Sequence, residues 1–236
     1  MYMKKILIFT GAGVSKESGI ETFRGNNGLW NNYKIEDVAT PDAWRKNREL
    51  VLDFYNQRRA QLNTVEPNLA HKLIADLEKD FDVYIVTQNV DNLHERAGST
   101  NIVHLHGELV RSKSTFPGSS ETYFCPGDIK IGDKCPRGSQ LRPDIVWFGE
   151  DLDPLDLDKS AKAAEDCDIC IIVGTSMQVF PANQIPFLTK EDCLIYYIDP
   201  SDIDFYIDKQ RKPFFTHIQE PATIGMQKVI EDIKNV

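Results

Sequence analysis

Five short apolar runs recur along the chain, and their pattern is typical of strands that are buried on both faces. Each run is continuous, rich in β-branched residues, and leads into Gly, Asn, Asp or His. The runs span residues 6–10, 83–87, 102–105, 169–173 and 194–198. Longer stretches that we interpret as helices lie between them, at 41–62, 67–79, 154–165 and 219–234. This alternation predicts an α/β fold, with a parallel sheet and helices on both of its faces.

Residues 108–142 break this alternation. The stretch is rich in Gly, Ser, Pro and Lys and has little periodicity. Because a structureless stretch of this length is unusual inside a compact domain, we expect either a functional insertion or a partly disordered module.

Composition narrows the class of protein. The chain has 27 basic and 36 acidic residues, a net charge of −9, which argues against broad binding to nucleic acid or to anionic lipid. No stretch approaches the roughly 18 apolar residues of a membrane span. Five scattered cysteines, an odd number, favour a reducing compartment over a disulfide framework. We therefore expect a cytoplasmic globular protein.

Polar and glycine-rich residues follow every predicted strand. Because ligands bind beyond the carboxyl ends of the strands in an open parallel sheet, these residues predict one shared site. They are Gly11-Ala-Gly13, Gln88-Asn-Val-Asp91, His106-Gly107, Gly174-Thr-Ser176 and Asp199.

The first two of these groups have ordinary structural interpretations as well. Glycines after the first strand let a backbone approach a diphosphate, but Lys16 stands at the third glycine position of the usual dinucleotide motif. Nucleotide binding and a simple tight turn therefore both stay open. An Asn or Asp after the second strand could cap a helix. Three amide or carboxylate residues in four positions are more than a cap requires.

His104 and His106 share one face of a strand, at a spacing of two residues. Gly107 leaves room for a ligand against the second ring, which favours His106 as the reactive histidine. A metal pair is an alternative, although no third ligand is evident nearby. Cys167 and Cys170 have the C-x-x-C spacing, yet they lie at the entrance to a buried strand, so we interpret them as core thiols.

Together these residues closely resemble the sirtuin family. The matching stretches are 11–20 (GAGVSKESGI), 22–24 (TFR), 87–91 (TQNVD), 106–107 (HG), 142–150 (RPDIVWFGE), and 174–176 (GTS) with Pro181. The resemblance implies a Rossmann-like NAD-binding domain formed by residues 1–30, 66–107 and 143–236. It also implies a small domain formed by a helical insert, 31–65, and a degenerate zinc-ribbon insert, 108–142.

The resemblance further implies an NAD-consuming enzyme that removes acyl groups from lysine and releases nicotinamide and O-acyl-ADP-ribose. His106 would be the general base that deprotonates a ribose hydroxyl, and Asn89 would be a second catalytic residue. The residues expected to bind NAD are Gly11, Ala12, Gly13, Ser15, Gly19, Thr22, Phe23, Arg24, Trp30, Gln88, Asn89, Val90, Asp91, Gly174, Thr175, Ser176, Asp199 and Ala222.

A second resemblance concerns the substrate. Tyr55 and Arg58 look like the Tyr-x-x-Arg pair of the desuccinylase branch, and their spacing puts them on one face of a helix. A guanidinium with a phenol donor suits the carboxylate of a succinyl or malonyl group. The alternative is a surface helix with an exposed arginine. The residues expected to contact the substrate are Tyr55, Arg58, Ala39, Val146, Phe148, Gly149, Glu150 and Val179.

One departure from the family is plain. Sirtuins usually hold zinc with four cysteines, whereas the insert here contains only Cys125 and Cys135, so zinc is not expected. Acyl-lysine proteins or peptides are the expected partners, and the chain is expected to be a monomer. Two rival functions remain: ADP-ribosyl transfer or simple NAD hydrolysis, and a non-enzymatic NAD sensor.

Overall fold

A six-stranded parallel sheet forms the centre of the molecule, in a computed structural model that describes residues 3–22, 33–208 and 211–234. Its spatial order is β3-β2-β1-β7-β8-β9. The strands are β1 Lys5–Thr10, β2 Asp82–Thr87, β3 Ile102–His104, β7 Ile169–Val173, β8 Leu194–Ile198 and β9 Phe215–Ile218. The sheet reverses its direction of growth between β1 and β7, the type of position at which such folds bind ligands.

Helices cover the sheet on both faces and form the first insert. None of the described helices combines the length and the apolar character that a membrane span requires. The α-helices are α1 Gly13–Lys16, α2 Ile35–Val38, α3 Pro41–Lys46, α4 Arg48–Leu62, α5 Leu69–Leu77, α6 Leu93–Ala97, α7 Pro154–Asp166 and α8 Ala222–Ile233. Two short 3₁₀ helices span Ala182–Phe187 and Lys212–Phe214.

The side chains of β1 alternate between two hydrophobic cores. Ile6 and Ile8 pack with residues of α5 and α8 on one face of the sheet. Leu7 and Phe9 pack with residues of α7 on the other face. Because both faces are covered, the strands are continuous apolar runs, which is why the sequence pattern identified them.

The helix predicted over 41–62 is two helices. Asn47, with φ −150° and ψ 82°, separates α3 from α4, and its side chain caps α4 by accepting a hydrogen bond from the Leu50 backbone N–H. An Asn favours this role because its carbonyl oxygen satisfies an N–H of the first turn. The last predicted helix begins later than expected, at Ala222, because Pro221 is its N-cap.

Residues 108–142 form an ordered insert after β3, so they are not a partly disordered module. A three-stranded antiparallel sheet has the order β5-β4-β6, with β4 Gly107–Ser114, β5 Thr122–Phe124 and β6 Leu141–Ile145. This sheet starts one residue before the predicted insert and ends three residues after it. Its strands alternate buried with half-exposed positions, so they contain no apolar run that the pattern could have revealed.

The buried Arg59 and the half-buried Asn56 bind helix α4 to the second insert. The Asn56 amide donates to the Ile129 carbonyl and accepts from the Ile129 N–H, both at 3.0 Å. The Arg59 guanidinium donates to the Leu109 carbonyl at 2.6 Å and to the Arg111 carbonyl at 3.0 Å. These bonds join the helical insert to the second insert and form one small domain.

Candidate active site

A cavity of about 1400 Å³ lies beyond the carboxyl ends of β1, β2, β7 and β8 and extends to helix α4. The loop after β6 forms another wall of the cavity, and the start of α8 reaches it as well. The cavity therefore lies between the parallel sheet and the small domain, which is the position that the strand-end residues predicted.

Backbone packs directly on backbone where β1 and β7 end. The Gly11 N–H donates to the Val173 carbonyl at 3.0 Å, and the Gly13 N–H donates to the Gly174 carbonyl at 2.8 Å. A Cβ atom on Gly13 would lie 2.6 Å from the Gly174 Cα. Gly174 has φ +62°, and its Cβ would lie 2.3 Å from the Val14 nitrogen. The glycines thus keep open a floor that suits a diphosphate.

The residues after β2 form a hydrogen-bonded chain with the first glycine loop. The Asn89 amide donates to the Gly11 carbonyl at 3.1 Å and to the Ser15 hydroxyl at 3.2 Å. The Ser15 hydroxyl donates to the Asp91 carboxylate at 2.9 Å. Burial raises the pKa of Asp91, although hydrogen bonds from Leu93 and Ser15 oppose the shift. Asn89 and Asp91 are therefore held in place before any ligand binds.

His106 has the geometry of a general base. Its Nδ1 lies 2.9 Å from the Gln88 carbonyl oxygen, which can only accept, so Nδ1 carries the proton and the lone pair is on Nε2. Burial lowers the pKa of His106 more than the hydrogen bond to Gln88 raises it, so the ring is neutral at pH 7. His106 lines the cavity, and an imidazole in this state can accept a proton.

His104 has a different role from His106. Its Nδ1 lies 3.1 Å from the Asn89 carbonyl, and its Nε2 lies 2.6 Å from the Glu95 carboxylate. Burial lowers the pKa of His104, but the hydrogen bond and charge of Glu95 outweigh burial and raise it. Ligand atoms of Glu95, His104 and Glu108 lie within 4.8 Å of one another, a group that does not include His106. The two histidines therefore hold neighbouring carbonyls of one loop and do not form a metal pair with each other.

Two buried histidines under the cavity were not predicted as site residues. The Thr10 hydroxyl lies 2.8 Å from the Thr87 hydroxyl and 3.1 Å from Nε2 of His94. His71 lies 3.4 Å from the Ser15 hydroxyl. Burial lowers the pKa of His71 to about 4 and that of His94 well below its ordinary value. Both rings are therefore neutral at pH 7, so they add no positive charge to the floor of the cavity.

Tyr55 lies at the end of the cavity that α4 forms. It is 4% exposed, and burial raises the pKa of its phenol, so it is neutral across the physiological range. The Trp147 indole donates to the Tyr55 oxygen at 3.1 Å. Because that bond uses an acceptor position of the phenol, the Tyr55 O–H can still donate to a ligand.

Arg58 lies beside Tyr55 on the same helix and also lines the cavity. Its guanidinium carbon is 3.3 Å from the centre of the Phe54 ring and 5.8 Å from that of Tyr33. One terminal nitrogen donates to the Phe54 carbonyl at 2.5 Å, whereas the buried Nε has no hydrogen-bond partner among the described residues. Burial lowers the pKa of Arg58 to about 10, so the side chain keeps its charge at pH 7.

The loop after β6 is fixed by a buried ion pair. Arg142 donates to both oxygens of Glu150, at 2.8 and 2.7 Å, and its guanidinium carbon lies 3.8 Å from the centre of the Trp147 ring. The Phe148 N–H donates to the Ala39 carbonyl at 3.0 Å. Glu150, predicted to contact substrate, thus has its carboxylate engaged by Arg142, and it supports the loop that lines the cavity.

The cavity brings together almost all of the described residues that the sequence singled out. Gly19 is the exception: it has φ +95°, ends the turn after α1, and does not line the cavity. Phe23, Arg24 and Trp30 lie outside the described residues. The lining residues are Gly11, Ala12, Gly13, Ser15, Thr22, Ala39, Tyr55, Arg58, Gln88, Asn89, Val90, Asp91, His106, Val146, Phe148, Gly149, Glu150, Gly174, Thr175, Ser176, Val179, Asp199 and Ala222.

Among the lining residues that the sequence did not predict, Trp147 and Tyr197 make hydrogen bonds that support the site. Trp147 supports Tyr55, and its only signal was its place within the 142–150 stretch. The Tyr197 hydroxyl donates to the Thr175 carbonyl at 3.0 Å. Tyr197 belongs to the apolar run of β8, so the periodicity identified it as core and gave no sign of its contact with the site.

The donors of the second insert do not fit a zinc ion. The Cys135 sulfur accepts a hydrogen bond from the Ser114 hydroxyl at 3.3 Å, and the Cys125 thiol is directed at the Gly127 carbonyl at 3.7 Å. A closed zinc site needs four ligands, and neither cysteine belongs to a group of three or more possible metal ligands among the described residues. The two cysteines of the insert thus make hydrogen bonds of their own and are two ligands where a closed zinc site needs four.

Comparison with known proteins identifies the family. The profile of the Sir2 family matches residues 11–181. The chain is 52% identical to an NAD-dependent protein deacylase of Helicobacter pylori strain J99 over 198 residues, 84% of this chain and 83% of that protein. It is 45% identical to an NAD-dependent protein deacylase of Bacteroides thetaiotaomicron over 212 residues, 88% and 90% of the two chains.

A solved structure agrees with these relatives. The crystal structure of a Sir2 homologue in complex with NAD superimposes with a TM-score of 0.85 at 37% identity, covering 99% of this chain and 90% of that one. The match confirms the predicted α/β fold, a Rossmann-like parallel sheet with a smaller domain, and the expected use of NAD. Since the family profile covers well over half of the sequence, this chain belongs to the Sir2 family.

Proposed function

We propose that this chain is an NAD-dependent protein-lysine deacylase that prefers acidic acyl groups, succinyl or malonyl, over acetyl. NAD-dependent deacylation rests on the family and on relatives of that name, which match over most of their length. The acidic preference rests on one observation. Tyr55 and Arg58 line the same end of the cavity, and each has a hydrogen-bond donor that no other described residue engages.

This end of the cavity suits a carboxylate for physical reasons. Arg58 has a buried Nε with no partner in the described part of the chain, and Tyr55 has an O–H that its bond to Trp147 does not use. A buried donor without an acceptor costs free energy, which a ligand carboxylate would recover through charge-assisted hydrogen bonds. The methyl group of an acetyl-lysine offers no acceptor to either residue.

The remaining site residues would carry the chemistry at the other end of the cavity. His106, neutral and with Nε2 as its free lone pair, would remove the proton of a ribose hydroxyl so that this oxygen attacks the bound acyl group. Asn89 and Asp91 would hold the nicotinamide and ribose. The glycines at 11, 13 and 174 would let the backbone approach the diphosphate. The products would be lysine, nicotinamide and O-acyl-ADP-ribose.

The substitution Arg58→Met tests the acidic preference. The measured quantity is kcat/KM for a succinyl-lysine peptide and for the matching acetyl-lysine peptide. Loss of one partner of a buried charge pair typically costs about 2–5 kcal/mol, tens- to thousands-fold in kcat/KM. We expect desuccinylation to fall by that factor while deacetylation changes little. Tyr55→Phe should shift the same ratio less, because it removes a neutral hydrogen bond.

Arg45→Met is the matched control. Arg45 lies on α3, is largely exposed, pairs with Asp42, and does not line the cavity. It makes the same change in charge and should leave both activities unchanged. If Arg58→Met lowers both activities equally, Arg58 is structural and a plain deacetylase becomes the better assignment.

The same assay separates the rival functions. A hydrolase or ADP-ribosyltransferase would consume NAD without forming free lysine, and a sensor would bind NAD without consuming it. Mass spectrometry of peptide and nucleotide products distinguishes these cases. We further propose that the enzyme acts as a monomer in the cytoplasm, where its five free thiols would stay reduced.

A further inference from the structure

Cys167 and Cys193 form a close pair of thiols at the edge of the sheet opposite to the active site. Their sulfur atoms are 3.7 Å apart, and the residues are 1% and 2% exposed. Cys167 lies two residues before β7 and Cys193 directly precedes β8, two strands that pair in parallel. Neither residue lines the large cavity, so the proposed deacylation does not use them.

The surroundings of Cys193 favour the thiolate. Arg211 donates to the Thr189 hydroxyl at 2.6 Å and to the Thr189 carbonyl at 2.7 Å, which brings a positive charge near the sulfur. A hydrogen bond from Cys167, a hydrogen bond from Thr189 and the charge of Arg211 together lower the pKa of Cys193, against the effect of burial. The pKa of Cys167 is raised by the hydrogen bond between Cys167 and Cys193 and by burial. Cys193 is thus the thiol of the pair that ionises, and Cys167 is its proton donor.

A small oxidant can approach Cys167, the member of the pair that lines a surface cavity; Cys193 does not line it. A surface cavity of about 250 Å³ is lined by Cys167 and by Lys5, Lys159 and Lys162, of which Lys159 and Lys162 are exposed. A water molecule occupies about 30 Å³ in the liquid, so a hydroperoxide fits this cavity. The sulfur atoms need to approach by roughly 1.7 Å to reach the length of a disulfide bond.

We propose that Cys193 and Cys167 are an oxidation site that converts a hydroperoxide into a disulfide bond between the starts of β7 and β8. Cys167, which lines the cavity, passes its proton to the Cys193 thiolate, and its sulfur attacks the terminal oxygen of the peroxide. The O–O bond breaks, and the departing alkoxide takes that proton from Cys193. The Cys193 thiolate then attacks the sulfenic sulfur of Cys167 and expels hydroxide, which takes up a proton. Both sulfurs are oxidised, and the peroxide is reduced to one alcohol and one water.

The third buried thiol nearby does not have these features. Cys170 lies within β7, is fully buried, and burial raises its pKa well above the ordinary value. It does not line the small cavity. A disulfide between Cys167 and Cys193 also lies away from the cavity residues, so the oxidised enzyme should keep its deacylase activity.

Peptide mapping tests the proposal directly. The folded protein is treated with a few equivalents of hydrogen peroxide, alkylated and digested with trypsin without reduction. Cleavage after Lys162, Lys190 and Lys209 places Cys167 and Cys170 in one peptide and Cys193 in the next. We expect these two peptides to be joined, and a reductant to separate them.

Alanine variants show which two cysteines form the cross-link. Cys167→Ala should abolish the cross-link, and Cys193→Ala should abolish it and leave a sulfenic acid on Cys167 that dimedone traps. Cys170→Ala and Cys125→Ala should form the cross-link as the wild type does. Arg211→Met should slow its formation several-fold, because it removes the positive charge beside Cys193. Circular dichroism confirms that each variant is folded.

Three results would overturn the assignment. They are a cross-link that survives in Cys167→Ala, a cross-link that disappears in Cys170→Ala, and oxidation of wild type to sulfinic or sulfonic acid with no cross-link formed. An unchanged rate in Arg211→Met would show that the positive charge does not prepare Cys193.

Discussion

Replacing Arg59 with Met should weaken the contact between the second insert and α4, the helix that carries the proposed acyl-binding pair. The Arg59 side chain is 2% exposed and donates to the carbonyls of Leu109 and Arg111 on β4. Met fills a similar volume but donates no hydrogen bond, so both carbonyls lose their partner. In this chain the two hydrogen bonds of Arg59 would link the two inserts without a metal ion.

The expected loss of stability in Arg59→Met is the difference between two opposing contributions to the free energy of unfolding. Hydrogen bonds to a charged group contribute about 1.5–3 kcal/mol each, so the two bonds to carbonyls amount to about 3–6 kcal/mol. Burial disfavours the charged guanidinium, which lowers the pKa of Arg59. The variant no longer buries this charge, so it regains part of the free energy that burying it costs. We therefore expect a net loss of about 2–4 kcal/mol, since recovery is incomplete. In a chain of this size that loss lowers Tm by roughly 4–16 °C.

Urea unfolding and thermal melts of wild type, Arg59→Met and the exposed control Arg45→Met measure this difference. The control should change stability by less than about 1 kcal/mol, as exposed ion pairs usually do. Desuccinylation should also fall in Arg59→Met, because α4 positions Tyr55 and Arg58. If Arg59→Met is as stable as Arg45→Met, the guanidinium does not hold the two inserts together and the reasoning fails.

Three further predictions concern the site and the missing metal. His106→Ala should abolish deacylation but leave NAD binding, measured by calorimetry, largely intact. In wild type the rate should fall as the pH drops through the pKa of His106, which burial lowers, because the base must be neutral. Purified protein should contain far less than one zinc per chain by elemental analysis, and chelators should leave it active, because Cys125 and Cys135 are two ligands where four are needed. Gly174→Ala should raise the KM for NAD or prevent folding, because its Cβ would lie 2.3 Å from the Val14 nitrogen; normal kinetics would contradict the tight packing of this floor.

The central sheet and most of the site could be predicted because their signals are local. Strands buried on both faces must be continuous and apolar, so the runs at β1, β2, β7 and β8 were visible without any structure. The carboxyl ends of parallel strands meet at one edge, so the residues that follow them had to converge. His106 could be preferred to His104 because Gly107 follows it.

Only the tertiary structure decided features that depend on partners distant in sequence. Strand β9 and the antiparallel sheet lack an apolar run, since their residues are partly exposed, and pairing alone defines them. The free Nε2 of His106 follows from the Gln88 carbonyl, 18 residues away. Cys167 and Cys170 spelled a motif, yet the sulfur next to Cys167 belongs to Cys193, because neighbouring strands bring together residues that the chain separates. Local periodicity specifies which segments are buried, whereas the contacts between segments specify what their polar groups can do.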